Sequence, residues 1–172
     1  KLKKFHFSQF ENTSKITYTF FPEIVEGILT TKEYEGLFDG KSNDALIPIK
    51  DEIISRVYND KGELFYASMQ KNKDSKTRNS YMVIFEGAGA AGNDDFALVS
   101  RSYITEEAYK EVGPTFFAHE FYHTLGLLDN YQTSAGEQTT ISLITSKDIM
   151  GQVNVPLTNT YIDSEALKKM GL

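Results

Sequence analysis

Cysteine and tryptophan are absent from the 172 residues. Without cysteine there is neither a disulfide framework nor a thiolate zinc site. No apolar run approaches the length of a membrane span, and no signal peptide opens the chain. No internal repeat or linker divides it. Positive charge is in deficit: 18 Lys and Arg stand against 24 Asp and Glu, a net charge of −6. With an isoelectric point near 5.1, the balance argues against nucleic acid as a principal partner. The chain begins with Lys1 rather than Met and reads as a processed fragment. A signal, anchor or pro-segment would lie upstream.

What is present suits one globular domain. The length allows a sizeable core, and a hydrophobic fraction of 40% argues against disorder. Twelve Phe and ten Tyr supply bulk for packing and for a cleft wall. A monomer is expected.

Only three histidines occur, and two fall in the run His119-Glu120-Phe121-Tyr122-His123. Imidazoles at i and i+4 share a helix face and can grip one metal ion. Glu120, about 100° further round the helix, stands where a general base can take a proton from a water activated by the metal. Pro114 fits the first helical turn. Phe117, Phe121 and Leu125 form an apolar stripe about 200° from the imidazoles, by helical geometry. Gly126 suits a left-handed helix stop. The chain can then double back and bring Asp129 to the two imidazoles. Three protein ligands with one open position make a catalytic zinc site. Glu165, and less readily Glu137, are alternatives for the third ligand.

The pattern H-E-x-x-H-x-x-G-x-x-D resembles the zinc signature of the metzincin metallopeptidases, in the variant with Asp as third ligand. The run His119–Tyr131 is similar to the snapalysin and immune inhibitor A groups of secreted bacterial peptidases, although both usually carry Pro where this chain has Leu128. Asp148-Ile149-Met150-Gly151 looks like the Met-turn of that clan. The resemblance covers Pro114–Gly151. It implies a zinc endopeptidase with His119, His123 and Asp129 as ligands, Glu120 as base, Met150 beneath the metal, and secretion or display on a bacterial cell surface. It also implies an α+β sandwich: a twisted mixed sheet of four to five strands, a backing helix and an active-site helix. Residues 1–126 would form an upper subdomain. Residues 127–172 would form an irregular lower one ending in a helix.

The remainder of the chain reads in keeping with that order. Strands are expected weakly at Phe5–Gln9, then at Ile16–Phe21, Leu64–Met69, Tyr81–Phe85 and Phe96–Ile104. His6 is expected at the surface or on an edge strand. A helix is expected from about Ala45 to Tyr58, with Leu46, Ile49, Ile53, Ile54 and Val57 on its apolar face. Gly87–Gly92 reads as a flexible loop without the P-loop pattern. Asn93-Asp94-Asp95 is the one stretch suggesting a structural calcium ion, but it lacks the calcium-loop pattern and reads better as a plain loop. The 96–104 strand is expected at the sheet edge, where an extended peptide substrate could pair with it, with Arg101 near its path. Tyr131 and Tyr161 are candidate oxyanion donors. A zinc hydrolase of a non-peptide amide and a non-catalytic binding module keeping the fold are the other functional classes compatible with these residues.

Overall fold

The computed structural model describes residues 1–10, 13–36, 46–70, 78–129, 133–134, 137–138, 147–151 and 154–170. They form a mixed α+β structure. The helices are α1 (Leu2–Phe10), α2 (Thr31–Gly36), α3 (Leu46–Arg56), α4 (Phe65–Gln70), α5 (Ser102–Thr105), α6 (Gly113–His123) and α7 (Ser164–Lys169). The strands β1 (Tyr81–Phe85), β2 (Ala90–Asn93) and β3 (Phe96–Ser100) make one sheet in the order β1-β3-β2. β1 runs parallel to β3 and β2 antiparallel to it. Two further two-residue strands, β4 (Thr133–Ser134) and β5 (Glu137–Gln138), pair with each other.

The central strand explains the layering. All five residues of β3 are buried, as expected when both faces of a strand are covered. Phe96 and Leu98 point to one face and join Leu46 and Ile49 of α3 and Tyr34 in one apolar cluster. The opposite face meets α6, which packs on both β2 and β3. A second core lies behind α6. There Phe5 and Phe10 of α1 meet Phe121, Tyr122, Ile149, Met150 and Ile162.

Several expectations are corrected. Three strands, not four to five, make up the main sheet among the described residues, and helices cover both its faces. Residues 16–21 form no strand, and Tyr18 and Phe20 are exposed. β-propensity does not suffice there, because among the described residues no neighbouring strand takes up the backbone groups. Residues 65–70 are helical rather than extended; Phe65-Tyr66-Ala67-Ser68-Met69-Gln70 holds no β-branched residue to favour a strand. Residues 2–10 are helical too. Leu2, Phe5, His6 and Phe10 recur at helical spacing and face the core, so the Phe5/Phe7 alternation was the weaker signal. His6 is buried, not at the surface. Its Nδ1 bonds the Tyr122 hydroxyl at 3.1 Å and its Nε2 the Ser14 hydroxyl at 2.9 Å.

The glycine-rich stretch is not simply a loop, because Ala90–Asn93 forms β2. Asp94 and Asp95 close the hairpin to β3, with Asp94 at φ 51°. Asp95 accepts hydrogen bonds from Lys50, Tyr66 and Gln70. Finally, β3 ends at Ser100 and is the central strand. Among the described residues the free edge beside α6 belongs to β2, which overturns the placing of a substrate peptide along 96–104 as the edge strand. Arg101 pairs with Glu86 in solvent.

Candidate metal centre

α6 forms as its sequence suggests. Pro114 lies in its first turn, where a missing N–H leaves no bond unmade. At the other end Gly126 adopts φ 90°, and two bonds close the helix: Gly126 N–H to His123 O at 2.9 Å and Leu127 N–H to Tyr122 O at 3.2 Å. This is a Schellman stop. It turns the chain back so that Leu127 packs in the core and Asp129 returns to the helix. Of the expected apolar stripe, Phe121 is buried, while Phe117 and Leu125 are half-buried. Among the described residues, Tyr122 is the largest fully buried side chain.

Three ligand atoms converge at the helix end. Nε2 of His119 and Nε2 of His123 are 3.1 Å apart. Oδ1 of Asp129 is 3.1 Å from the first and 3.3 Å from the second. For metal–ligand bonds of about 2.0–2.1 Å, a tetrahedral ion spaces its ligands by roughly 3.3 Å, so this triangle fits one face of such a site. The second ring nitrogens settle the tautomers. Nδ1 of His119 donates to the carbonyl of Ile149 at 2.7 Å, and Nδ1 of His123 donates to the carbonyl of Leu127 at 2.8 Å. A carbonyl can only accept, so both rings carry a proton on Nδ1 and, when neutral, turn a lone pair inward. Two lone pairs and a carboxylate meeting at these distances can hold a cation between them, either a proton or a metal ion. Among the described residues, His119, His123 and Asp129 are the group of side chains able to hold one.

The charges agree with this arrangement. Burial works against the Asp129 carboxylate, but hydrogen bonds from the two imidazoles in their protonated form, and their charge, hold its pKa well below the usual range. Burial disfavours charge on His119; the hydrogen bond with Asp129 and the charge of Glu120 outweigh it and leave the pKa raised. Glu120 is buried, and burial pushes its carboxyl pKa up against the pull of the two histidines. Among the described residues, nothing hydrogen-bonds its carboxylate. It is therefore free to accept and return a proton.

The turn Asp148–Gly151 closes under the site. Gly151 N–H bonds Asp148 O at 2.9 Å, and Met150 N–H bonds the Asp148 carboxylate at 3.2 Å. Ile149 and Met150 are fully buried. Tyr161 pairs with this turn through its backbone: Ile149 N–H to Tyr161 O at 2.8 Å and Tyr161 N–H to Lys147 O at 3.0 Å. Its side chain is half-exposed. Tyr131 lies outside the described residues, and so does the side chain of Glu137. Glu165 is exposed on α7, its backbone capped by Asp163, and it takes no part in the cluster.

Gly92 is a site residue that the sequence reading left in a loop. A Cβ there would stand 2.7 Å from the backbone oxygen of Glu120, 2.9 Å from Cβ of His123 and 3.1 Å from the Glu120 carboxylate. Only glycine lets β2 lie this close to α6. A glycine within a short apolar segment was the available signal. No protein-family model, curated protein or solved structure matches the chain, so the functional reading stands on these residues and their geometry.

Proposed function

We propose that the chain is a zinc endopeptidase of the metzincin type, with His119, His123 and Asp129 as ligands. The observation that carries this reading is the triangle of ligand atoms, with both outer ring nitrogens tied to carbonyls. Nitrogen and carboxylate donors without thiolate suit zinc, and three ligands leave a position open for chemistry. Zinc supplies Lewis acidity there, lowering the pKa of a water and polarising a substrate carbonyl.

Glu120 takes the proton from the attacking water and returns it to the departing amine. Its buried position and raised pKa suit a group that must hold and release a proton within one turnover. The partly exposed Asp129 stays ionised. Ile149 and Leu127 hold the two rings at fixed tilt, so nothing needs to reorganise as charge develops.

The substrate strand lies along β2. Ser100 N–H bonds Gly89 O at 2.9 Å, which sets the ladder: Gly89, Ala91 and Asn93 bond β3, while the N–H and C=O groups of Ala90 and Gly92 point to the open edge. An extended peptide paired there passes beside Glu120. Among the described residues no helix is long and apolar enough to cross a membrane.

A casein digest with and without a zinc chelator tests the proposal, together with the zinc content of the protein after dialysis. Chelator-sensitive cleavage by protein holding one zinc supports it. Intact casein beside zinc-loaded protein refutes the peptidase reading.

A further inference from the structure

The ligand triangle is held from two sides. His119 is tied to the Asp148–Gly151 turn through the carbonyl of Ile149. His123 and Asp129 depend instead on the stop of α6: Nδ1 of His123 bonds the Leu127 carbonyl, and Asp129 follows shortly after Leu127 in the chain. Whatever fixes that stop against the rest of the protein therefore fixes two of the three ligands relative to the third.

Residues 78–80, which lead into β1, close on that stop. Nη1 of Arg78 donates to the Leu125 carbonyl at 3.2 Å. This carbonyl stands just before the left-handed Gly126, among the last of the helix, which find no acceptor role within it. A cation there also suits the negative end of the helix. The guanidinium reaches over Gly126, 3.8 Å from where a Cβ would stand. The Ser80 hydroxyl lies 2.7 Å from that of Thr124, which is fully buried. Thr124 gives its one proton to the Phe121 carbonyl at 2.6 Å, since a carbonyl can only accept, so Ser80 is the donor between the two hydroxyls. Asn79, between them, donates elsewhere, to the Met69 carbonyl at 3.0 Å in α4. Consecutive polar side chains thus fasten the lead of β1 to two helices, and Arg78 and Ser80 both hold α6.

We propose that Arg78 is a positioning residue of the metal centre: with Ser80 it holds the α6 stop where His123 and Asp129 meet His119. This rests on the zinc peptidase reading above and names a residue outside the ligand set on which the site depends. Arg78 takes no part in proton transfer. Without it the stop keeps its own backbone bonds but loses its tie to β1, so His123 and Asp129 drift together relative to His119. Metal binding must then restore their placement, and affinity falls. Arg78 is exposed, so its removal leaves no cavity in the core, and an effect on the metal is not explained by a collapsed fold.

The test measures zinc affinity of the whole chain by competition with a chelator, beside urea unfolding of the zinc-free and zinc-loaded forms. The expected result is a loss of about tenfold in affinity for Arg78→Ala, the low end for groups that orient a ligand, and a smaller loss for Ser80→Ala. The stability that zinc adds shrinks accordingly, because stabilisation by a ligand follows its affinity. A purely structural role would instead lower both forms alike. Arg78→Lys, which keeps a donor for the Leu125 carbonyl, recovers most of the affinity. Arg101→Ala, which removes an exposed arginine paired with Glu86, leaves it unchanged and so controls for net charge. In cobalt-substituted protein the visible absorption of Arg78→Ala differs from wild type, reporting altered ligand geometry. Wild-type zinc affinity in Arg78→Ala, or an equal loss in Arg101→Ala, overturns the positioning role. If Arg78→Ala weakens zinc as expected but wild type cuts no peptide, the positioning role stands and the peptidase reading falls. If wild type holds no zinc, both fall. Should Arg78→Ala fail to fold, Ser80→Ala, which loses a single hydroxyl, decides the matter by the same measure.

Discussion

Nδ1 of His119 donates to the carbonyl of Ile149 at 2.7 Å, joining residues 30 apart in sequence. The bond ties the ligand helix to the Asp148–Gly151 turn, so the turn's packing sets the tilt of the ring. Met150 supports that turn and is fully buried. Met150→Ala should cost about 2–5 kcal/mol through the cavity it leaves, and Met150→Leu less than about 1.5 kcal/mol. Urea unfolding of the zinc-free proteins checks both values. A zinc titration should also show weaker binding in the alanine variant. Unchanged stability in Met150→Ala would mean the turn does not depend on this side chain.

Ligand and base separate by mutation. Asp129→Ala should lower zinc affinity by more than the roughly 10–100-fold typical of residues that only orient a ligand. Glu120→Gln should keep its zinc and lose about 10²–10⁴-fold in turnover, the usual contribution of a general base. Metal analysis after dialysis, beside a peptide-cleavage assay, reads both. Equal metal content in Asp129→Ala would remove it from the ligand set.

The site was easier to read from the sequence than the sheet, for a physical reason. A helical metal motif is local: His119, Glu120 and His123 are placed by one turn of backbone, and Gly126 by one left-handed residue. Asp129 follows within a short loop. The turn at Met150 is distant in sequence, and a resemblance rather than a spacing pointed to it. Strands carry less local information, because pairing partners decide them. Residues 16–21 look like a strand yet pair with no strand among the described residues. Residues 90–93 look like a loop yet pair with β3. Gly92 shows the limit most clearly, since its role lies in what it lets approach and leaves no side chain to read. The α1 error was one of period: Leu2, Phe5, His6 and Phe10 fit a helix face better than the alternation fits a strand.

Gly92→Ala gives that point a number. The added methyl meets the Glu120 backbone oxygen at 2.7 Å and Cβ of His123 at 2.9 Å, and neither is the end of a flexible side chain. Overpacking of this kind costs about 1–3 kcal/mol. Turnover should fall as well, because β2 and Glu120 move apart. Thermal unfolding and a kcat measurement on the folded variant check the two effects separately. Wild-type stability in Gly92→Ala would show that β2 is not pressed against α6.

His6 provides a test by pH. Burial lowers its pKa from 6.5 to about 4, and the neutral ring lies between Tyr122 and Ser14. Between those values the unfolded chain binds the proton and the folded chain does not. Stability therefore falls as pH drops from about 6.5 toward 4, by at most about 3 kcal/mol for a shift of this size. Tyr122 contributes no slope there, because burial pushes its hydroxyl further up. His119 and Asp129 also titrate, but equally in wild type and in a His6 variant. The difference between wild type and His6→Asn thus isolates His6. Urea midpoints at pH 4.5, 5.5 and 7.5 should show the wild-type advantage greatest at 7.5 and shrinking steadily toward 4.5. Parallel curves would mean that His6 takes up its proton alike in the folded and unfolded chain, and that burial against Tyr122 does not hold the ring neutral.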